Sequence, residues 1–241
     1  GGRHDIDACE RYLYHALQNF FGTQEGAHLN FAPVTRDTLV RDVMDDPVFE
    51  DCGRLLFPVD LTIPQDMTLE DVGDLLVWYH HVNPDKTVEI VNTLGERAAS
   101  GDTVFYDIYT DEEKAADPEK EDTGLFFFRG NPGGRTAICS AGGGFMYVGA
   151  MQDSFPHALE LSKRGYNAFA LIYRPGAQTA CEDLARAIAW IFAHAGELEP
   201  EQGLRPWLGA VARNKAADWL RPHREAVPLP ENAAAPGGGD P

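Results

Sequence analysis

Three consecutive glycines, Gly142, Gly143 and Gly144, stand directly after the run Thr136-Ala137-Ile138-Cys139-Ser140-Ala141. A buried strand suits that run, and a helical pattern follows the glycines. Residues without a Cβ let backbone N–H groups turn outward and meet a ligand unobstructed. Such a loop serves two chemistries. It can cradle a phosphate, or it can hold the oxygen that gains charge when an ester carbonyl is attacked. A tight turn without ligand is the third reading. The phosphate reading lacks support: the loop does not fit G-x-G-x-x-G, and no Lys-Ser/Thr pair follows it. The ester reading requires a nucleophile. No serine follows Ser162, no threonine follows Thr179 and no cysteine follows Cys181.

Other residues invite chemistry less strongly. His80 and His81 point about 100° apart if helical, which spoils a shared metal. Asp45-Asp46 and Glu50-Asp51 lack the glycine and alternating spacing of a calcium loop. Cys9, Cys52, Cys139 and Cys181 show no C-x-x-C spacing and read as small packed residues. Cys139 and Ser140 are expected to pack rather than react. Arg174, at the end of a strand pattern, reads first as a salt-bridge partner. No metal and no cofactor are expected.

The elements that must position the glycines can be read from periodicity. Residues 5–21, 36–44, 69–80, 85–99, 155–164 and 181–195 carry helical spacing, with Thr68 and either Asp153 or Ser154 as N-caps. Thr103–Tyr109, Leu125–Arg129, Thr136–Ser140 and Tyr166–Tyr173 read as strands, the second and third as a hairpin or neighbours across Asn131-Pro132-Gly133-Gly134. Phe126, Phe127 and Phe128 mark a strand buried on both faces. The order β, β, β, α, β, α fits an open, mostly parallel sheet.

Charge is unevenly distributed. Residues 1–122 carry 27 acidic and 9 basic side chains, and residues 123–241 carry 11 of each. That acidic half, with no basic stripe, argues against nucleic acid. No apolar run approaches the ~20 residues of a membrane span, and no signal peptide is visible at Gly1 to Cys9, so a cytoplasmic location is expected. Residues 200–241 hold seven of the sixteen prolines, and the text from Pro222 onward has no core pattern.

The stretch from Gly124 to about Leu198 resembles the esterase/lipase branch of the α/β-hydrolase superfamily, in particular bacterial feruloyl-esterase-like and carbohydrate-esterase-like proteins. The resemblance lies in Ala141-Gly142-Gly143-Gly144-Phe145, Phe155-Pro156, Leu159-Glu160-Leu161, Arg164-Gly165-Tyr166, Ala168-Phe169, Tyr173-Arg174 and Glu182-Asp183-Leu184-Ala185-Arg186-Ala187-Ile188. It implies a partial hydrolase sheet over 102–220, preceded by an acidic, mainly helical extension over 1–101; composition adds the expectation of a disordered tail over 221–241. It implies that Gly142, Gly143 and Gly144 form an oxyanion hole and that the family substrate is a small carboxylic ester. Ala141 replaces the usual histidine before the glycines.

The resemblance also places a G-x-S-x-G elbow at about residues 205–215. Leu204-Arg205-Pro206-Trp207-Leu208-Gly209-Ala210-Val211-Ala212-Arg213 echoes that elbow without its serine. His223 is the one downstream histidine and falls in the tail. A catalytic triad is therefore absent from this sequence. The expectation is a truncated or frame-disrupted hydrolase, inactive as given. Its alternatives are a catalytically dead hydrolase-like binding module and a nucleotide-binding α/β domain.

Overall fold

The computed structural model describes residues 30–75 and 82–194. The expected helix over 5–21, the end of the one over 69–80, His80, His81 and everything from residue 195 lie outside them. The chain divides into compact units after Ala193, and the sheet with its helices lies in the first.

Four strands form one sheet: β1 (Phe105–Tyr106), β2 (Gly124–Phe128), β3 (Thr136–Ser140) and β4 (Asn167–Ile172), in the order β1-β2-β4-β3. Strands β1 and β2 are antiparallel, as are β2 and β4, with Phe127 opposite Phe169. Only β3 and β4 run parallel, with Ile138 opposite Phe169. The sheet is therefore mixed, which corrects the mostly parallel expectation. It also corrects the expected pairing of β2 with β3, because β4 lies between them.

The turn explains the correction. Asn131–Gly134 closes on itself through Gly134 N–H to Asn131 C=O at 2.9 Å. It then bonds to the segment entering β4: Gly130 N–H donates to Asn167 Oδ1 at 2.9 Å, and Asn167 N–H donates to Arg135 C=O at 2.8 Å. The chain is thus carried past the β4 position rather than folded back on β2. A parallel return needs a crossover, supplied by helix α4 (Ser154–Lys163) between β3 and β4.

The β1 strand is shorter than the alternating pattern Thr103–Tyr109 suggests: the residue before it still bonds to β2, but past it Ile108 is taken by a side chain. Val104 C=O accepts from Phe127 N–H at 2.8 Å, and Ile108 C=O accepts from Arg186 Nε at 2.6 Å. The charged connection that follows holds a short helix, α3 (Asp111–Ala116). Its start is fixed by a reciprocal capping box between Thr110 and Glu113.

Every residue of β2 and β4 is buried. Alternation sends Phe126 and Phe128 to one face, where both rings meet Phe155 of α4 at centroid distances of 5.1 and 5.8 Å. Phe127 and Phe169 stack at 4.5 Å on the other face. There Tyr106 meets Trp190 of helix α5 (Ala177–Ala193) at 4.9 Å. The sheet is thus sandwiched between α4 and α5, the layered arrangement that hides an apolar sheet.

The acidic segment packs on the same unit. Helix α1 spans Val40–Met44, and helix α2 spans Pro84–Ala99 behind an Asn83 cap with Pro84 in its first turn. Asn92 bonds both the N–H and C=O of Val34, at 2.7 and 3.1 Å, which straps residues 31–34 across α2. Glu89 of α2 and Lys163 of α4 meet at 2.6 Å. Thr68 does engage Asp71, Oγ1 to Oδ2 at 2.6 Å, but the helix it precedes is a 3₁₀ turn over Asp71–Asp74.

Candidate functional site

The glycine loop leaves the C-terminal end of β3 and enters α4 through a 3₁₀ turn at Ala150–Gln152. Its base is fixed from three directions. Tyr173, just past β4, donates its hydroxyl to Ala141 C=O at 2.6 Å. Gly149 N–H donates to Gly142 C=O at 3.0 Å, closing the loop neck. Asp153 Oδ2 accepts the Gly142 N–H at 2.7 Å. A fourth bond holds the tip: Gly176 N–H, at the start of α5, donates to Phe145 C=O at 2.8 Å.

Beyond that base the backbone takes conformations few side chains tolerate. Gly143 has φ +148° and Gly144 has φ +63°. A Cβ on Gly143 would overlap the Tyr147 carbonyl. Phe145 also sits at φ +61°, a strain on the order of 1–2 kcal/mol for a residue with a Cβ. Strain of this kind persists only where neighbours enforce it, and here the Gly176 bond does so.

Among the described residues, the N–H groups of Gly143, Gly144 and Phe145 have no hydrogen-bond partner. Gly144 and Phe145 are exposed and Gly143 is half-buried. Three successive amides are therefore left without a partner on a pinned loop. The three glycines singled out in the sequence are brought together but are not equivalent. The Gly142 amide is committed to Asp153, while those of Gly143 and Gly144 remain open.

Asp153 was not visible as a site residue. In sequence it reads as the cap of α4, yet its side chain makes no cap bond and turns back to the loop instead. Its other oxygen lies 3.1 Å from His157 Nδ1, one turn along α4. Tyr173 and Gly176 were also missed, since both lie more than thirty residues away in sequence and reach the loop only through the β3–β4 pairing.

No nucleophile with a base accompanies the amides among the described residues. Ser140, expected to pack, is instead exposed at the end of β3. Its strand lies at the margin of the described sheet, with only β4 beside it. Ser154 is 1% exposed, and its hydroxyl has no partner. Burial, followed by the nearby Asp153 charge, raises the Cys139 thiol above its ordinary value, so it stays protonated. The echo of an elbow at 204–213 and His223 lie outside the described residues.

Arg174 fulfils the salt-bridge reading. It is buried against Asp183 of α5, which is fully buried, with Nη2 to Oδ1 at 2.8 Å and backbone N–H to Oδ2 at 2.8 Å. Tyr109 Oη donates to the same carboxylate at 2.6 Å, and Asp117 takes Arg174 Nη1 at 2.7 Å. This network fixes the β4–α5 corner that carries Gly176. No group of three or more metal-ligating side chains occurs among the described residues, and no described helix is long and apolar enough to cross a membrane. No protein-family model, curated protein or solved structure matches the chain.

Proposed function

We propose that this chain carries the oxyanion-binding part of a serine-esterase-type α/β hydrolase that acts on small carboxylic esters. The observation that carries the reading is the pair of open amides at Gly143 and Gly144, held on a pinned loop after β3. In such hydrolases the loop after the third strand contributes backbone N–H donation to the oxyanion hole. Each well-placed donor lowers the barrier by about 2.7–4 kcal/mol. Gly142 serves the site by anchoring: its amide is spent on Asp153, so the donors are Gly143 and Gly144.

The chain as given is proposed to be inactive. Ser140 and Ser154 lack a bonded base, and no serine follows Ser162. Without a hydroxyl poised by a base there is no acyl intermediate. A catalytically dead, hydrolase-like binding module is the second reading, and the same absence favours it. A cytoplasmic location remains part of the proposal.

Two measurements on the full chain test this. With 4-nitrophenyl acetate, release of nitrophenolate is expected to stay at the buffer rate. In amide NMR, acetate should move the Gly143 and Gly144 N–H signals while Gly142 stays still. Protection of Gly143 and Gly144 from hydrogen exchange in the free protein would defeat the reading. Shifts with ATP but none with acetate would transfer the loop to phosphate binding.

A further inference from the structure

A cavity of about 210 Å³ lies beside the β4–α5 corner. Its apolar walls come from two distant parts of the chain. Leu55, Phe57 and Val59 belong to the acidic segment, while Val148 follows the glycine loop and Ile172 ends β4. Asp60, Glu119 and Asp122 add carboxylates to the same lining. An apolar cavity of about 150 Å³ suffices for benzene, so this one has room for a six-membered ring and a short arm.

The charge of the lining is one-sided. Arg174 is its one cation among the described residues, and that guanidinium is bonded to Asp183 and Asp117. Asp122 is paired with Arg54, which does not itself line the cavity. Asp60 and Glu119 have no cationic partner among the described residues. Burial raises the Asp60 carboxyl above its ordinary value, and repulsion from Asp122 raises it further. A cation placed there would relieve that repulsion, whereas an anion would meet the unpaired carboxylates of Asp60 and Glu119 and no available donor cation.

We infer that this cavity is a binding site for a small amphiphilic cation, an amine or ammonium group carried on a compact apolar body. The ring or alkyl part lies against Phe57, Val148 and Ile172, and the nitrogen sits at Asp60 and Glu119. Neither half suffices alone. Exposed carboxylates attract any cation weakly, and a cavity of this size gives little selectivity among apolar groups. Together they select for charge and shape. The site does not depend on the glycine loop's holding an oxyanion, since binding requires no turnover.

The test uses three probes of one shape on the full chain: benzylammonium, benzyl alcohol and benzoate at pH 7, followed by amide NMR. Benzylammonium should bind about fivefold tighter than benzyl alcohol, the gain of a partly exposed ion pair. Its shifts should centre on Val59, Val148 and Ile172, and benzoate should give none. Asp60→Asn, at an exposed position, should abolish the preference for the cation while leaving benzyl alcohol unchanged. Val59→Trp should exclude both. The inference is overturned if benzoate or benzyl alcohol binds as well as the cation, if Asp60→Asn keeps the preference, if the shifts map elsewhere, or if no probe binds.

Discussion

Replacing Asp183 with asparagine tests what holds the β4–α5 corner together. Asp183 is fully buried and accepts from three sources: the Arg174 guanidinium, the Arg174 backbone N–H and the Tyr109 hydroxyl. Arg174 itself is 5% exposed. In Asp183→Asn one acceptor oxygen survives, but the new NH₂ confronts the guanidinium and the buried positive charge loses its nearest counter-charge. Asp117, which is part-exposed, cannot replace it. Removing one member of a buried pair costs about 3–5 kcal/mol. With an m-value of about 2 kcal/mol per molar in urea, a loss near 3 kcal/mol moves the unfolding midpoint down by about 1.5 M. Circular dichroism in urea measures this directly. The paired replacement Asp183→Leu with Arg174→Met removes both charges, and well-packed apolar pairs often equal a buried ion pair. It should recover most of the loss. A single variant within about 0.5 kcal/mol of the parent, the ordinary scatter of surface changes, would show that water reaches the pair and that the corner is held by packing alone.

Gly143→Ala should cost about 2–3 kcal/mol, because a Cβ there meets the Tyr147 carbonyl at a φ few residues accept; Gly144→Ala, with its nearest neighbour 4.0 Å away, should cost only about 1 kcal/mol. Urea midpoints separate the two. Phe155→Ala opens a void between the rings of Phe126 and Phe128 and should cost about 3–5 kcal/mol by the same measurement. Burial, then the bond to Asp183, holds the Tyr109 hydroxyl above its ordinary value. The unfolded chain releases that proton near pH 10 while the folded chain keeps it. Stability is therefore intact below pH 10 and falls above it, by up to about 1.4 kcal/mol per pH unit. Tyr109→Phe should flatten that alkaline slope.

The layers around the sheet were legible because their signals are local. The run Gly124–Phe128 is buried on both faces, as its phenylalanines implied, and α4 begins one residue from its expected start. Strand pairing was not legible. Whether the Asn131–Gly134 turn folds β2 onto β3 depends on Asn167, thirty-six residues away, which claims both the turn and Gly130. No local pattern encodes that choice. The loop's glycines were visible for a local reason, the Cβ they lack. Their inequivalence was not, because Asp153 in a capping position has two possible uses and only the folded loop decides between them.

Asp153 poses the remaining question of energy at the loop. Its carboxylate pins Gly142, yet it also puts a negative charge one or two residues from where an oxyanion would gather. Successive Cα atoms are 3.8 Å apart, so the two charges would be on the order of 6 Å apart. In water-like surroundings their repulsion is about 0.7 kcal/mol, rising to about 3 kcal/mol at an effective dielectric of 20. A single donor, at about 2.7–4 kcal/mol, would nearly be cancelled in the drier case. Two donors outweigh the repulsion in either. The same sum explains why the anchor must sit on Gly142 rather than deeper in the loop, where it would consume one of the two. His157, 3.1 Å from the far oxygen of Asp153, offsets the charge further when protonated. Asp153→Asn keeps an acceptor for Gly142 and removes the charge, so it should strengthen acetate binding at Gly143 and Gly144, whereas Asp153→Ala should free the Gly142 amide and weaken it. Equal acetate affinities in the two variants would show that the loop holds its shape without the anchor.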